Sequence, residues 1–330
     1  MRNLDQWYEA TITGLKQVTP TVREFIIDCP QIMSSPPGAH INVRVYIDGR
    51  PDHRSYSVVT HPASGGVIIA VKGLQDSRGG SAYMWSLEPG ARIWITPPAN
   101  DFELSFNNAE YLLLAGGIGI TPIVRMAETL MDQGRAMRLL YAARTRDELA
   151  YVERLQERLE YRLETFVAEE QRFVDLAATL LALSPDGELY MCGPLGLMEA
   201  VRSAWLDSGR AAAKLHYETF GSSGRHPAQA FSVQIPNLGI EVQVPKDKSL
   251  LDALTAAGVE VLSDCRRGEC GLCALKVVAV EGEVDHRDVF FSPQQHREGE
   301  FMCVCVSRIT AGRVVLETAF EGDPVLRQSA

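Results

Sequence analysis

Cysteine spacing is the feature that most constrains this chain. Five of the seven cysteines lie in the last fifth of the sequence: Cys265, Cys270, Cys273, Cys303 and Cys305. The first three form the pattern C-x₄-C-x₂-C, which with a distant fourth cysteine is typical of plant-type [2Fe–2S] clusters. Thiolates are soft ligands that suit iron, and a tight loop can direct three of them inward. The pattern therefore predicts an iron–sulfur site, with either of the last two cysteines as the fourth ligand.

Two alternatives to this site are a zinc site and a set of buried thiols. Zinc sites usually pair C-x₂₋₄-C knuckles or use histidines, whereas one irregular triplet occurs here. Gly268 and Gly271 allow the loop to turn backbone N–H groups toward sulfur, as iron–sulfur loops require. An odd number of cysteines in a chain without a signal-peptide pattern also argues against a disulfide framework. An iron–sulfur cluster is thus favoured over both.

The first hundred residues are predicted to form an antiparallel barrel. Short strand patterns separated by Gly, Pro and Asp turns occupy residues 8–13, 23–28, 42–47, 56–60 and 67–71. Such even spacing of short strands is typical of small β-barrels.

The middle of the chain changes to alternating strands and helices. Apolar runs at residues 111–115, 138–142, 164–168 and 188–192 each precede a helical pattern, at 121–131, 147–159, 174–181 and 194–206. This alternation predicts a parallel sheet covered on both faces, with residues 214–220 as its last strand. Residues 220–230 are rich in turn-forming residues and are the best linker candidate. Two strands (231–235 and 240–244), a helix (249–257) and the cysteine cluster follow.

Two short segments of the first part could bind a flavin. Residues 54–57, Arg-Ser-Tyr-Ser, offer a guanidinium for phosphate, an aromatic ring and a hydroxyl. Residues 78–81, Arg-Gly-Gly-Ser, precede a helical pattern at 81–87, and backbone N–H groups at a helix start can hold phosphate. Taken singly, each segment also fits an ordinary strand or a Gly-rich turn in which Ser81 is the helix N-cap.

Two further segments could bind a pyridine nucleotide. Residues 113–122, Leu-Leu-Ala-Gly-Gly-Ile-Gly-Ile-Thr-Pro, join a strand to a helix, although they lack the last glycine of G-x-G-x-x-G. Glycines there let a nucleotide approach the backbone at a helix start. Residues 192–194, Cys-Gly-Pro, end a later strand, where a lone Cys192 usually is a core residue. Arg144 could reach a nucleotide phosphate or ribose, or lie in solvent.

Together these segments resemble the phthalate dioxygenase reductase branch of the ferredoxin reductase superfamily. The resemblance covers essentially the whole chain and includes residues 283–288, Glu-Val-Asp-His-Arg-Asp, and 305–308, Cys-Val-Ser-Arg. It implies a flavin-binding antiparallel β-barrel at 1–106, an NAD(P)-binding α/β domain at 107–222 and an α+β, β-grasp-like ferredoxin domain at 223–330. Alignment on Cys-Val-Ser-Arg makes Cys305 the fourth cluster ligand and Cys303 a neighbouring thiol, while the reverse assignment stays open.

The resemblance also implies roles for individual residues. It favours FMN over FAD and NADH over NADPH. The flavin phosphate would lie near Arg54 and the turn of Arg78, Gly79, Gly80 and Ser81, and the flavin ring near Tyr56, Ser57 and Phe220. The nucleotide would be bound by Gly116, Gly117, Gly119, Thr121, Pro122, Arg144, Cys192, Gly193 and Pro194. Ser57, Cys192 and Phe220 would border the site of hydride transfer, although Phe220 could equally be a core aromatic at a strand end.

Net charge, apolar runs and the histidine pattern limit what this chain could bind and where it could act. A net charge of −10 argues against general binding to nucleic acid or a membrane surface. No apolar run reaches 18 residues and the polar, acidic start lacks a signal-peptide pattern, so we expect a cytoplasmic protein. We also expect a monomer in isolation. The seven histidines never follow a Cys-x-His pattern, and no iron site of two histidines and one carboxylate is evident.

Substrate oxidation is therefore expected on another chain. The resemblance implies that this chain is an NADH-dependent reductase for a Rieske-type oxygenase or demethylase. Electrons would pass from NADH through FMN to the [2Fe–2S] cluster. The alternatives are a reductase for another acceptor, such as a cytochrome P450, and a redox-sensing iron–sulfur flavoprotein.

Overall fold

A computed structural model of the protein describes residues 6–74, 79–220 and 226–318. The chain divides into two compact units, with the boundary between Glu218 and Thr219. The first unit holds a β-barrel and a parallel sheet, and the second holds a mixed sheet.

The first unit begins with a closed antiparallel barrel, as predicted. Its strands are β1 (Tyr8–Thr19), β2 (Val22–Asp28), β3 (His40–Ile47), β4 (Arg50–Thr60), β5 (Val67–Lys72) and β6 (Arg92–Ile95), with helix α1 (Gly80–Trp85) before β6. They pair in the order β1-β2-β5-β4-β3-β6, and β1 pairs with β6 to close the ring. Alternate side chains point inward, so Ile41, Val43 and Val45 of β3 are fully buried.

Strand β1 is longer than the predicted segment 8–13. Its pairing with β2 shifts register near Gly14 and again before Thr19. Such bulges interrupt the alternation of apolar and polar residues while the strand continues. The pattern at residues 8–13 therefore captured only the part before the first shift.

The rest of the first unit is the predicted parallel sheet. Strands β7 (Glu110–Gly116), β8 (Ala136–Ala143), β9 (Leu163–Val167), β10 (Glu188–Cys192) and β11 (Leu215–Glu218) run in the order β11-β10-β7-β8-β9. Helices α2 (Ile120–Asp132), α3 (Val152–Leu159), α4 (Leu176–Ala182) and α5 (Leu195–Asp207) connect them. Strands β7 and β10 are neighbours, so the loops that follow them begin side by side.

Helix α3 is shorter than the predicted segment 147–159. Residues 146–148 form a single 3₁₀ turn, and Tyr151 has a φ of 63°. A left-handed residue cannot continue an α-helix, so α3 begins only after it. Asp147 consequently lies in the 3₁₀ turn.

The second unit is α+β, as predicted for a β-grasp-like domain. Its elements are β12 (Phe231–Ile235), β13 (Ile240–Val244), α6 (Leu250–Ala256), β14 (Ala274–Val280), β15 (Val284–Asp285), α7 (Pro293–Glu298), β16 (Phe301–Cys303), β17 (Arg308–Ile309) and β18 (Arg313–Glu317). The main sheet has the order β13-β12-β18-β14-β16, in which β12 and β18 are parallel. Leu250, Leu254 and Val314 are among the residues that form its buried core.

The helices of the described residues are all short. None of them is long and apolar enough to cross a lipid bilayer.

Candidate flavin, nucleotide and iron–sulfur sites

Strand β4 positions the predicted flavin-binding arginine. Nη1 of Arg54 donates to Oδ2 of Asp52 and to the carbonyl oxygen of His53, each at 2.7 Å. Burial alone would raise the pKa of Asp52, but the Arg54 guanidinium more than offsets this and holds that pKa below its ordinary value. The ion pair therefore holds the guanidinium of Arg54 in place on β4.

Tyr56 and Ser57 follow Arg54 on the same strand. Tyr56 packs against the barrel core, and burial raises the pKa of its phenol well above the ordinary value. Ser57 is 5% exposed, and its Oγ has no hydrogen-bond partner. A buried hydroxyl without a partner costs about 1–3 kcal/mol, so this atom fits a position that awaits a polar ligand.

The Gly-rich turn meets Arg54 in space. Helix α1 begins at Gly80, and Gly79, with a φ of 87°, is its N-cap. A Cβ added to Gly80 would lie 2.6 Å from Nε of Arg54, so the arginine lies directly against the helix start. The alternative interpretation of Ser81 as the N-cap is wrong, because Ser81 lies within the first turn. Arg78 lies outside the described residues.

Two loops at the carboxyl ends of β7 and β10 touch each other. A Cβ on Gly119 would lie 2.2 Å from the carbonyl oxygen of Cys192, and one on Gly116 would lie 2.6 Å from Cδ of Pro194. A Cβ on Gly193 would lie 3.1 Å from the Cα of Gly116. Only glycine permits this approach of two backbones. In open α/β sheets, nucleotides bind at the carboxyl ends of the strands, as these loops are placed.

The remaining residues of the first loop hold its shape. Gly117 has a φ of 53° and begins a single 3₁₀ turn before α2. Its carbonyl oxygen accepts a hydrogen bond of 3.1 Å from the Tyr141 hydroxyl. Thr121 is buried and donates from Oγ1 to the carbonyl oxygen of Ile118 at 3.0 Å, and Pro122 is buried beside it. The observed contacts of Thr121 are thus internal, and its contact with a nucleotide stays a prediction.

Three other predicted residues occupy different environments. Arg144 is exposed just beyond β8, at the same sheet edge as the two nucleotide loops. Cys192 is fully buried in the core cluster of this sheet, which agrees with its alternative reading as a core residue. Phe220 follows β11 and is 38% exposed. Residues 221–225 of the predicted linker, which spans 220–230, lie outside the described residues.

The cysteine loop of the second unit has the expected N–H donors. Sγ of Cys265 accepts from the backbone N–H groups of Arg267, Glu269 and Cys270, each at 3.4 Å. Gly268 allows this turn with a φ of 77°. N–H groups directed at sulfur stabilise the negative charge of an iron–sulfur cluster.

The sulfur atoms of Cys273, Cys303 and Cys305 converge on this loop. Hydrogen bonds from the other two thiols lower the pKa of Cys273. Cys305 interacts with Cys265 and accepts from the N–H of Gly268, both in the cysteine loop, whereas Cys303 interacts with Cys273 and with the buried Asp288. No disulfide joins any of the seven cysteines, all of which are described. The geometry thus favours Cys305 as the fourth thiolate.

One buried polar network was missed in the sequence. Asp288 is fully buried and accepts hydrogen bonds, each of 3.0 Å, from Ser307 Oγ, the Phe291 N–H and His296 Nε2. His286 stacks on His296 with ring centroids 4.3 Å apart. Burial alone would raise the pKa of Asp288, but the neighbouring imidazoles of His286 and His296 hold it well below its ordinary value. The structure therefore brings together two histidines and a carboxylate, which the sequence had not made evident.

Comparisons with known proteins agree with these sites. Family models match residues 9–104 as an oxidoreductase FAD-binding domain, 113–203 as an oxidoreductase NAD-binding domain and 233–310 as a 2Fe-2S iron-sulfur cluster binding domain. The heme-dependent oxidative N-demethylase beta subunit of Ectopseudomonas mendocina (strain ymp) is 33% identical, over 94% of this chain and 98% of that protein. Phthalate dioxygenase reductase of Burkholderia cepacia is 29% identical, over 95% and 98% respectively. The chain belongs to the phthalate dioxygenase reductase family.

Solved structures extend this assignment. A structure of phthalate dioxygenase reductase superposes with a TM-score of 0.75 at 28% identity, over 95% of this chain and 98% of that one. That protein is described as a modular structure for electron transfer from pyridine nucleotides to [2Fe-2S]. An intact type IV self-sufficient cytochrome P450 monooxygenase matches with a TM-score of 0.65 at 28% identity, over 94% of this chain and 41% of that one. The predicted order of flavin, nucleotide and cluster domains is confirmed, and the protein is an oxidoreductase of this family.

Proposed function

We propose that this member of the phthalate dioxygenase reductase family is an NADH-dependent reductase that uses FMN and a [2Fe–2S] cluster. Its electrons would go to a separate Rieske-type oxygenase or demethylase. The domains would be a flavin barrel at 1–106, a nucleotide domain at 107–222 and a ferredoxin domain at 223–330. When bound, the three redox groups supply the conversion of a two-electron hydride donor into single electrons.

The proposal rests on the presence of two arrangements in one chain. The cysteine loop directs three backbone N–H groups at Cys265 Sγ. Two glycine loops are in backbone contact at one edge of the parallel sheet. The first arrangement fits an iron–sulfur cluster and the second fits a dinucleotide. A protein that holds both has the two ends of an electron path.

The proposal of FMN rests on Arg54 and the start of α1. The guanidinium lies against Gly80, so a phosphate there would meet both the fixed positive charge and the N–H groups of the first helical turn. Ser57 would donate its unpartnered hydroxyl to the edge of the flavin ring. Tyr56 would cover one face of that ring.

The nucleotide loops would orient the hydride donor. Gly116, Gly117 and Gly119 would let the pyrophosphate approach the start of α2, and exposed Arg144 at the same edge would contact a phosphate or ribose. Buried Cys192 would act indirectly, by holding the loop of Gly193 and Pro194 against the first glycine loop. The two loops together would shape the nicotinamide pocket. Phe220 would lie near the flavin ring.

A heme protein is the second candidate acceptor. The relative named as the beta subunit of a heme-dependent N-demethylase and the self-sufficient P450 both match almost all of this chain. The Rieske-type acceptor instead rests on the resemblance of the sequence to reductases of that class. A redox sensor, the third possibility, would bind NADH without steady turnover.

The test begins with the purified, iron-loaded protein. Chromatography of the extracted flavin is expected to give FMN, and FAD would refute that part. Anaerobic NADH is expected to bleach first the flavin and then the cluster. Cytochrome c reduction should continue at a steady rate, and its absence would support the sensor.

A variant without the cluster is the matched control. Cys270→Ser is expected to keep the bleaching of flavin by NADH and to lose transfer to one-electron acceptors. Offered a purified Rieske-type oxygenase component and a heme monooxygenase, the wild-type reductase is expected to reduce the Rieske centre faster. The reverse order of rates would overturn the proposed partner and favour the heme acceptor.

A further inference from the structure

The network around Asp288 has the composition of a metal site that is separate from the cysteines. His286 Nδ1, His296 Nε2 and a carboxylate oxygen of Asp288 all lie within 4.8 Å of one another. Asp288 Oδ1 is 3.6 Å from His286 Nδ1, and Oδ2 is 3.0 Å from His296 Nε2. Two imidazoles and one carboxylate are a common ligand set for divalent transition metals.

The spacing of these atoms fits a shared ion. Metal–ligand bonds of about 2.0–2.1 Å at tetrahedral angles separate neighbouring ligand atoms by about 3.3 Å. The two observed nitrogen–oxygen distances, 3.0 and 3.6 Å, lie on either side of that value. Both ring nitrogens face the same carboxylate, and the rings are 19° from parallel. Because the lone pair of a ring nitrogen lies in the plane of its ring, the two stacked rings would have to turn away from parallel for both nitrogens to bind one ion.

The state of His286 is the second observation that points to a ligand. Its side chain is 9% exposed, and neither ring nitrogen has a hydrogen-bond partner. A buried imidazole without a partner is uncommon, because buried polar groups are normally hydrogen-bonded. A metal ion on Nδ1 would satisfy this nitrogen.

The surrounding structure would support such an ion. Ser307 Oγ and the N–H of Phe291 donate to the two Asp288 oxygens and fix the carboxylate. Hydrogen bonds of this kind orient carboxylate ligands in metal sites. His296 is carried by helix α7, whose start is fixed by a capping box at Ser292. The ion would therefore join the segment after β15 to α7.

We propose that His286, Asp288 and His296 bind one divalent transition-metal ion, Zn²⁺, independently of the iron–sulfur cysteines. Zinc suits the set because it accepts two imidazoles and a carboxylate in a tetrahedral site.

The test uses protein from which any affinity tag has been removed and whose iron–sulfur cluster is loaded. The protein is dialysed against micromolar Zn²⁺. Elemental analysis is expected to give one zinc per chain. Zinc-edge X-ray absorption should show only nitrogen and oxygen at about 2.0–2.1 Å, without the sulfur at about 2.3 Å that binding to cysteines would give. The melting temperature should rise with zinc.

Variants at position 296 separate a ligand from a packing role. His296→Gln is expected to weaken zinc binding at least tenfold and to remove the zinc-dependent rise in melting temperature. The visible absorption of the cluster should remain, which reports that the domain is folded. His296→Glu, which keeps an oxygen ligand at similar reach, is expected to retain zinc. His226→Gln, an exposed histidine outside the trio, is the control and should bind as wild type.

Three results would overturn the proposal. They are the absence of zinc from the cluster-loaded wild-type protein, sulfur in its zinc coordination sphere, and wild-type zinc binding by His296→Gln.

Discussion

Replacing Gly119 by alanine tests whether contact between the two nucleotide loops positions the hydride donor. The new Cβ would lie 2.2 Å from the carbonyl oxygen and 2.5 Å from the carbonyl carbon of Cys192. Ordinary contact begins at 3.4 Å, so the loops must separate by about 1.2 Å, the difference between 3.4 and 2.2 Å. Both partners are backbone atoms, so no side-chain rotation can relieve the overlap. A displacement of about 1 Å in a reacting geometry can cost about 10²-fold in rate.

The assay is anaerobic stopped-flow mixing with NADH, which follows the bleaching of the flavin. We expect Gly119→Ala to slow this step about 10²-fold. Gly196→Ala is the matched control, because Gly196 lies in α5 just after the second loop and its Cβ would meet nothing within 4 Å. Alanine is favoured over glycine in a helix by about 1 kcal/mol, so this variant should keep its rate and gain slight stability.

A wild-type bleaching rate in Gly119→Ala, with normal flavin content, would refute the reasoning. Equal slowing in Gly196→Ala would also count against it, since the effect would then not depend on the contact between the loops.

Four further substitutions test other parts of the protein. Cys305→Ser is expected to abolish the visible absorption and bound iron of the cluster, whereas Cys303→Ser keeps both, because it is Cys305 that interacts with Cys265 and with the N–H of Gly268 in the loop that holds the other ligands. Ser57→Ala would remove one hydrogen bond to the flavin, and it is expected to slow flavin reduction up to about tenfold. It should not lower the melting temperature, because its Oγ has no protein partner to lose. Glu148→Gln is expected to lower the free energy of unfolding at pH 7 by up to about 1 kcal/mol through loss of the ion pair with Lys72.

The pH dependence of the Glu148 prediction follows from its pKa. Burial alone would raise this pKa, but the hydrogen bond and charge of Lys72 hold it below 4.5 in the folded protein. A depressed folded pKa means that the stabilisation is complete above the unfolded value and is lost as the pH falls through the folded one. Denaturant unfolding at several pH values should therefore show wild type and Glu148→Gln converging in acid.

Neighbouring residues provide the controls for these variants. Ser55→Ala removes an exposed hydroxyl that donates to Asn42 Oδ1 at 2.6 Å, and it should leave the flavin step unchanged. Glu153→Gln changes an exposed acid on α3 and should not alter the pH profile. Contrary results would be loss of the cluster in both cysteine variants, a normal rate in Ser57→Ala, or a stability difference for Glu148→Gln that does not change with pH.

The sequence predicted the parallel sheet well because its strands are covered on both faces. The apolar run 111–115 became β7 (Glu110–Gly116), and the helical pattern 121–131 became α2 (Ile120–Asp132). In such segments burial alone determines the pattern, so periodicity is sufficient to find them. In the second unit, residues 231–235 were placed at the observed bounds of β12, where buried and half-buried residues alternate.

Side-chain contacts between distant segments could not be predicted from residue spacing. Nothing in the spacing shows that Arg54 lies on Gly80 or that His296 reaches Asp288, because both contacts depend on how separate elements pack. Arg308 is a further example. It was known only as part of Cys-Val-Ser-Arg, and in the structure it donates to the carbonyl oxygens of Gln229 and Pro245, each at 2.9 Å. It therefore fastens the first strands of the second unit.

Closure of the six-stranded barrel limits how another protein could engage it. Every strand of the ring has a neighbour on each side, from β1 through to β6, so no barrel strand is an edge over its whole length. A protein that binds by extending a sheet would find full edge strands in β9 and β11 of the parallel sheet and in β13 and β16 of the second unit. Recognition of the barrel itself would depend mainly on its side chains and loops.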